Sequence, residues 1–268
     1  MPYIEQTGAR IHFTDSGGAD LPVIVLAHGF FMDTSMFAPQ VEALSDRYRV
    51  VCIDARGHGA TMSDDTPFTY WDAADDVLAV LDEIGVQRAV LGGMSQGGFT
   101  MLRAALMAPE RVTGLILIST EAGPCPDEEQ KIYGETFLVW DTIGPVDELT
   151  SALAGQIIGD PELEPAWIAK WRDRKGIPIA TAGNCLLYRD DITDQVPSIT
   201  APAILIRGLE DVAIPIERAR SLIDNLPDLR EVVEVPGAAH AVNLTHPEVV
   251  NPRIEAFLAR LSTSGAAR

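Results

Sequence analysis

Residues 89–98 read Ala-Val-Leu-Gly-Gly-Met-Ser-Gln-Gly-Gly, and this stretch decides how the rest of the chain is interpreted. Its first three residues, Ala89 to Leu91, form a short apolar run bounded by glycine, which predicts a buried strand. A helical pattern from Gly97 to Met107 begins directly after the turn. The sequence therefore predicts a strand that passes through a tight turn into a helix, with Ser95 at the turn.

The turn itself fits the pattern G-x-S-x-G, since Gly93 and Gly97 flank Ser95. In so tight a turn, side chains two residues before and after the serine would collide, which requires glycine at both positions. The same turn could pack against a phosphate, but it lacks the lysine of a phosphate-binding loop and has no G-x-G-x-x-G pattern. The geometry lifts the Ser95 hydroxyl above the sheet and points the helix N-terminus at developing negative charge, which predicts a nucleophilic serine.

Short apolar runs alternate with amphipathic segments on both sides of this turn. Further strands are predicted at Val23–Ala27, Val50–Ile53, Leu115–Ile118, Ala203–Ile206 and Val232–Val235, and helices at Trp71–Ile84, Ile216–Leu226 and Val249–Leu261. Two opening segments, Tyr3–Glu5 and Arg10–Thr14, have the pattern of an antiparallel hairpin at the sheet edge. Alternation of this kind predicts an α/β fold with a mostly parallel, eight-stranded sheet flanked by helices.

The alternation stops between the fourth and fifth core strands. Residues 121–199 are helical in character, rich in proline and tryptophan, and show no strand pattern. We expect them to form an inserted helical cap, or lid, on a core domain made of residues 1–120 and 200–268.

Five short motifs follow one another along the chain: His28-Gly29, Asp54-x-Arg56-Gly57-His58-Gly59, Gly93 to Gly98, Gly208-x-x-Asp211 and Gly237-x-x-His240. Together they resemble the α/β-hydrolase superfamily, over nearly the whole chain. Within it, the chain is similar to the small capped esterases and lactonases that include the 3-oxoadipate enol-lactonases. Epoxide hydrolases and haloalkane dehalogenases share the fold but have aspartate at the position of Ser95, which argues against both. The resemblance implies an α/β-hydrolase fold and neither a metal nor an organic cofactor.

A serine hydroxyl needs a base, usually a histidine oriented by a carboxylate. The resemblance implies the chain order serine, acid, histidine. His240, on a loop of small residues between the last strand and the last helix, is the predicted base. Asp211 is the predicted acid, because its spacing from Gly208 is the commoner arrangement in this fold. Glu210 is then a solvated neighbour, and Glu121 stands at a rarer alternative acid position.

The four other histidines are assigned less demanding roles. We expect His12 to be a surface residue of the hairpin and His28 to make a structural hydrogen bond at the end of a strand. His58 lies in the loop after the second core strand, and His246 stands beside Pro247 at a helix start, where exposure is expected.

The resemblance also implies an oxyanion hole built from two backbone N–H groups. One belongs to the residue after the nucleophile, Gln96, and the other to the loop after the first long strand, where Phe30 is the predicted donor. Each such donor is typically worth about a hundred- to a thousand-fold in rate. Phe31 and Met32 either line the acyl pocket or simply pack.

These residues predict hydrolysis of a small carboxylic ester or lactone through an acyl-enzyme intermediate. The same layout is found in cofactor-free haloperoxidases and perhydrolases, in which peroxide replaces water, and in carbon–carbon bond hydrolases. A ligand receptor that keeps the triad is a third alternative, from a different functional class. The substrate itself is not encoded in any motif of residues 121–199.

The amino-acid composition limits which partners and which cellular location are expected. The 268 residues include 39 acidic and 20 basic side chains, giving a formal net charge of −19. So acidic a chain argues against nucleic acid and anionic membrane surfaces as partners, because both attract lysine and arginine. The three cysteines suggest no disulfide framework, and the N-terminal sequence shows no signal-peptide pattern, so a cytoplasmic location is expected. A homo-oligomer is compatible with the sequence.

Overall fold

The computed structural model describes residues 2–174 and 176–265, with side chains up to residue 261. Residues 1 and 266–268 of the predicted core range, and residue 175 of the predicted cap range, lie outside the described residues. Within the described ranges, the strands form one nine-stranded sheet. They are β1 Tyr3–Gln6, β2 Ala9–Asp15, β3 Val23–Ala27, β4 Arg49–Ile53, β5 Met62–Ser63, β6 Ala89–Met94, β7 Val112–Ile118, β8 Ala203–Gly208 and β9 Leu229–Val235.

The order of strands across the sheet is β1-β2-β4-β3-β6-β7-β8-β9, with β5 paired to β2 off this path. The pairs from β4 through β3, β6, β7 and β8 to β9 are parallel. Strands β1 and β2 form the expected antiparallel hairpin at one edge. The mostly parallel sheet and its eight main strands are thus confirmed. The exposed, two-residue β5 is an addition that no apolar run could have indicated.

The helices cover both faces of this sheet, and their bounds are α1 Ala38–Leu44, α2 Tyr70–Glu83, α3 Gln96–Met107, α4 Asp127–Thr142, α5 Asp147–Ile157, α6 Glu164–Asp173, α7 Ala180–Leu187, α8 Ile216–Ile223, α9 Val242–Thr245 and α10 Pro247–Gly265. Alternate residues of β3 belong to two different hydrophobic clusters. Ile24 and Leu26 face the cluster that contains α1 and α10, whereas Val25 faces that of α2 and α3. A strand buried on both sides has to be apolar throughout, which explains its sequence.

Helices α4–α7 all lie between β7 and β8, in the region expected to form the cap, and no strand interrupts the described part of that region. They pack over the end of the sheet where the loop after β3 lies. Phe31 of that loop contacts the rings of Trp140 and Trp171, and Phe30 contacts that of Phe137. The indole N–H of Trp171 also donates to the Phe31 carbonyl across 2.7 Å. These contacts place the inserted helices above the carboxyl ends of the parallel strands.

No helix in the described part of the chain is both long enough and apolar enough to cross a membrane. The three cysteines, Cys52, Cys125 and Cys185, are buried and unpaired. Burial raises the pKa of the Cys52 and Cys185 thiols to about 12. These thiols are therefore protonated at neutral pH and behave as small apolar side chains.

Candidate active site

The turn between β6 and α3 has the strained geometry that its sequence predicted. Ser95 has φ 53° and ψ −116°, a backbone conformation that side-chain-bearing residues rarely adopt. A Cβ atom at Gly97 would overlap the Ala27 carbonyl, and one at Gly93 would overlap the backbone of Gly97. The turn is held on both sides, because the Ser95 N–H donates to the Ile118 carbonyl at 2.8 Å and the carbonyl of Ser95, the N-cap of α3, accepts the Phe99 N–H at 3.2 Å. Strain of this kind persists where the surroundings over-determine it, often at functional sites.

Asp211 and His240 form a buried pair after the carboxyl ends of β8 and β9. The His240 Nδ1–H donates to Asp211 Oδ2 across 2.8 Å. The other carboxylate oxygen of Asp211 accepts the N–H groups of Ala213 and Ile214, both at 3.0 Å. Burial opposes ionisation of Asp211, but the His240 ring and these two donors outweigh it and hold the pKa of the carboxyl below its ordinary value. The pair fixes which nitrogen of His240 carries the proton and leaves Nε2 as an acceptor.

Ser95 and His240 line the same pocket, whose volume is about 70 Å³. Among the described residues, no hydrogen bond joins the Ser95 hydroxyl to the His240 ring. Catalytic hydrogen bonds are often long without substrate and tighten in the complex. The rest of the wall is mostly apolar and aromatic, and includes Phe30, Phe31, Phe99, Tyr133, Phe137, Leu153, Ile157, Leu186 and Ile214. The pocket therefore suits a small, largely apolar group next to the serine.

The loop after β3 is held by a neutral histidine. The His28 Nδ1–H donates to the Gly29 carbonyl at 2.7 Å, and its Nε2 accepts the Ala55 N–H at 2.9 Å. In a planar trans peptide, the N–H points opposite to the carbonyl of the same unit. The direction of the Phe30 N–H is therefore fixed by the bond that His28 makes to Gly29. The structural hydrogen bond expected for His28 is present.

Two histidines, His12 and His246, differ from their expected settings. His12 was expected at the surface, but it is 3% exposed and its Nδ1–H donates to Asp54 Oδ2 across 2.7 Å. That prediction is wrong because the loop after β4 covers β2, with Thr61 accepting the His12 N–H. His58 is also buried, and desolvation lowers its pKa well below the usual value. His246, expected to be exposed, is only partly so.

Among the hydrogen bonds of the described residues, the His240 ring is paired with Asp211 and not with the alternative acid, Glu121. Glu121 is buried, where its Oε1 accepts from Arg189 at 2.6 Å and its Oε2 from the Arg218 Nε at 2.8 Å. Glu210 is exposed, as expected of a solvated neighbour.

Sequence patterns did not identify Arg189 and Arg218, which line the pocket together with Glu129 of α4. The two arginines come from segments far apart in the chain. The one signal that the sequence offered was their position, since Arg189 lies in the expected cap and Arg218 lies in the helix after β8. Of the two residues considered for the acyl pocket, Phe31 lines it, whereas Met32 is buried in the hydrophobic core.

Within the described residues, no group of three or more histidine, cysteine, aspartate or glutamate side chains is arranged to hold a metal ion.

The comparisons with known proteins agree with this fold. The model of the α/β-hydrolase fold family matches residues 22–247, and the chain belongs to this family. It is 27% identical to 3-oxoadipate enol-lactonase 2 of Acinetobacter baylyi over 94% of both chains.

Two solved structures are similar over most of their length. A thermophilic esterase from Thermogutta terrifontis, solved with malate bound, has a TM-score of 0.86 and 26% identity over 94% of both chains. The enol-lactonase from Burkholderia xenovorans LB400 has a TM-score of 0.83 and 28% identity, covering 96% of this chain and all of the other. The predicted family and fold are confirmed, and the names of these relatives agree with the expected esterase or lactonase type of hydrolase.

Proposed function

We propose that this protein is a serine hydrolase that cleaves a small carboxylic ester or lactone through an acyl-enzyme intermediate. Ser95 is the nucleophile, His240 the general base and acid, and Asp211 the residue that orients the imidazole. The observation that carries the proposal is that His240, hydrogen-bonded to Asp211 at 2.8 Å, lines one pocket with a serine held at φ 53°. This combination matches the requirements of an activated nucleophile.

In the first step, His240 Nε2 takes the Ser95 proton as Oγ attacks the carbonyl carbon. The bond to the leaving oxygen then breaks, and His240 returns the proton to that oxygen, as an alcohol from an ester or as the opened ring of a lactone. In the second step, water loses a proton to His240 and attacks the acyl carbon. The acid leaves, and the proton returns to Ser95. Asp211 stabilises the imidazolium in both steps.

The negative oxygen of each tetrahedral intermediate needs donors, and we assign this role to the backbone N–H groups of Phe30 and Gln96. Gln96 is the first residue of α3, where the helix N-terminus favours negative charge. The Phe30 N–H is oriented through the bond that His28 makes to the preceding carbonyl. A donor whose direction is already fixed needs no reorganisation as the charge develops, which is why such donors lower the barrier.

The ester or lactone class is supported by the relatives, which are named as an enol-lactonase and an esterase. It is also supported by the small apolar pocket beside Ser95. We further propose that residues 121–199 act as a cap, since α4 and the end of α5 supply part of the pocket wall. A cytoplasmic location and a homo-oligomeric assembly remain predictions, to be tested by cell fractionation and by sedimentation.

A fluorophosphonate probe tests the nucleophile directly. We expect the wild-type protein to be labelled at Ser95, as located by peptide mass spectrometry, and the Ser95→Ala and His240→Ala proteins to remain unlabelled. Ser119→Ala is the matched control, because Ser119 is also buried with a positive φ of 44° at a strand end but does not line the pocket. It should be labelled as the wild type is.

Labelling at another residue, or undiminished hydrolysis of p-nitrophenyl acetate by Ser95→Ala, would refute the assignment. Comparing turnover with and without hydrogen peroxide and acetate separates hydrolysis from perhydrolysis.

A further inference from the structure

One part of the pocket wall is charged, in contrast to the rest. Three charged side chains line it: Glu129 from α4, Arg189 from the segment after α7, and Arg218 from α8. Behind them lies Glu121, which is 3% exposed and pairs with both arginines. Two cations and two carboxylates thus form a group that is formally neutral.

Each guanidinium nitrogen in this group already has an acceptor within the protein. The nitrogens of Arg189 donate to the carbonyls of Gly123 and Leu186 and to Glu121. The Nε and one terminal nitrogen of Arg218 donate to Glu121. The other terminal nitrogen of Arg218 donates to both carboxylate oxygens of Glu129, each at 2.6 Å, and to the Ala213 carbonyl at 3.3 Å. An incoming anion that approaches the outer terminal nitrogen of Arg218 therefore competes with the Glu129 carboxylate already bound there.

Glu129 is the more readily displaced of the two carboxylates. Its side chain is 29% exposed, against 3% for Glu121, and it binds Arg218 through a single nitrogen. Glu121 instead takes the two-nitrogen edge of Arg218, the geometry that holds a carboxylate best. The carboxylate that faces the substrate is thus Glu129, and it covers the one part of Arg218 that Glu121 leaves available.

We propose that Glu129 is a specificity-determining residue that makes the pocket select uncharged esters or lactones over those whose acyl chain carries a carboxylate. This inference rests on the proposed function and names its substrate class. A carboxylate on the acyl chain meets Glu129 in the pocket wall, where Arg189 and Arg218 are already paired with carboxylates, and it approaches a chain of formal net charge −19. Like charges brought together without new partners suppress binding of the wrong ligand.

The experiment compares two esters of the same shape. Methyl succinamate ends in a neutral amide, and monomethyl succinate at pH 7.5 ends in a carboxylate. We expect the wild-type kcat/KM to be at least about tenfold higher for the neutral ester. Glu129→Gln removes the negative charge that faces the substrate, keeps an acceptor oxygen for Arg218 and leaves the charged group with one net positive charge. It should raise the ratio of anionic to neutral turnover by roughly 10- to 100-fold, the range of a hydrogen bond between charged groups.

The ratio is insensitive to a loss of folded protein, because both esters are measured on the same preparation. Glu128→Gln is the matched control, since Glu128 is exposed one residue earlier on the same helix and is absent from the pocket wall. It removes the same charge and should leave the ratio unchanged. A wild-type protein that turns over both esters equally, or a ratio that Glu129→Gln does not change, would overturn the proposal.

Binding separates this proposal from the proposed function. N-methylsuccinamide and N-methylsuccinamate are the unreactive amide analogues of the two esters, and titration calorimetry with Ser95→Ala protein gives their affinities without turnover. If the anionic amide binds more weakly and Glu129→Gln strengthens its binding relative to the neutral amide while neither ester is hydrolysed, the specificity stands and the esterase assignment fails. If both amides bind equally and the esters are hydrolysed, the specificity fails and the esterase assignment stands.

Discussion

In the described part of the chain, two buried histidine–aspartate pairs are joined by a short hydrogen bond and have nearly the same geometry. His12 and Asp54 are 2.7 Å apart, and His240 and Asp211 are 2.8 Å apart, with Nδ1 of the ring as donor in each. The two histidine residues are 3% and 6% exposed. Judged by the histidine–carboxylate bond alone, both pairs qualify equally as catalytic.

Their surroundings separate them. The Nε2 of His12 is buried with no hydrogen-bond partner among the described residues, whereas His240 borders the pocket that contains Ser95. His12 lies within the antiparallel strand β2, while His240 and Asp211 follow the carboxyl ends of parallel strands. Ligands bind at the carboxyl ends of the strands in open α/β sheets. The comparison therefore teaches that a histidine–aspartate pair can act on a substrate only when it lies at that end of the sheet.

Replacing each histidine by alanine is the strongest way to break the comparison. His240→Ala should lower kcat for p-nitrophenyl acetate by about 10⁴-fold or more, because the serine loses its base. His12→Ala should lower the free energy of unfolding by about 1–3 kcal/mol, because Asp54 loses a buried partner. Urea unfolding and kinetics per mole of folded enzyme measure the two effects. If His12→Ala abolished activity while leaving stability intact, the distinction drawn here would be wrong.

A pH titration extends the comparison to the buried histidines that are not paired at short range with a carboxylate. Burial lowers the pKa of both His28 and His58 relative to the unfolded chain. The unfolded state therefore binds more protons, so their contribution to stability is complete above pH 6.5 and is lost as the pH falls towards their folded pKa values.

We expect the free energy of unfolding to fall by about 1–2 kcal/mol between pH 7 and pH 5.5. His58→Gln should reduce that slope, as measured by urea unfolding at several pH values. A slope unaffected by the substitution would assign the effect to other groups.

The smallest expected effect is that of replacing Thr61, which hydrogen-bonds to the backbone of both His12 and Asp54. The Thr61 hydroxyl donates to the Asp54 carbonyl at 2.6 Å and accepts the His12 N–H at 2.9 Å. Thr61→Val keeps the shape and removes both bonds, so it should cost about 1 kcal/mol of stability and leave kcat unchanged. Differential scanning calorimetry and the same kinetic assay check both statements. A large loss of kcat would mean that this pair does influence the active site.

The parts of the fold that the sequence predicted are those in which a local pattern reflects burial. The run Val23–Ala27 is apolar at every position because both sides of β3 are covered, and its predicted bounds are those observed. The turn at Ser95 was recognisable because steric exclusion demands glycine at 93 and 97. In such cases the residue type and the structural reason lie within a few positions of each other.

Features assembled from distant segments left no such pattern. His12 was misplaced because its environment depends on the loop that carries Thr61, about fifty positions later. The charged wall combines Glu121, Glu129, Arg189 and Arg218, and each of these residues alone is typical of a solvated surface. Charge pairing of this kind can be identified only once the elements are placed together.

The bond between the Trp171 indole and the Phe31 carbonyl constrains how substrate reaches the serine. Helix α6 is tethered through it to the residue that follows Phe30, so swinging that helix outward would pull on the loop expected to hold the oxyanion. A path that leaves α6 in place, for instance one that parts α4 from α8 where Glu129 meets Arg218, would admit a molecule without disturbing the catalytic geometry. Substrate entry would then move one side of the pocket, while the loop expected to hold the oxyanion stays fixed on the other side.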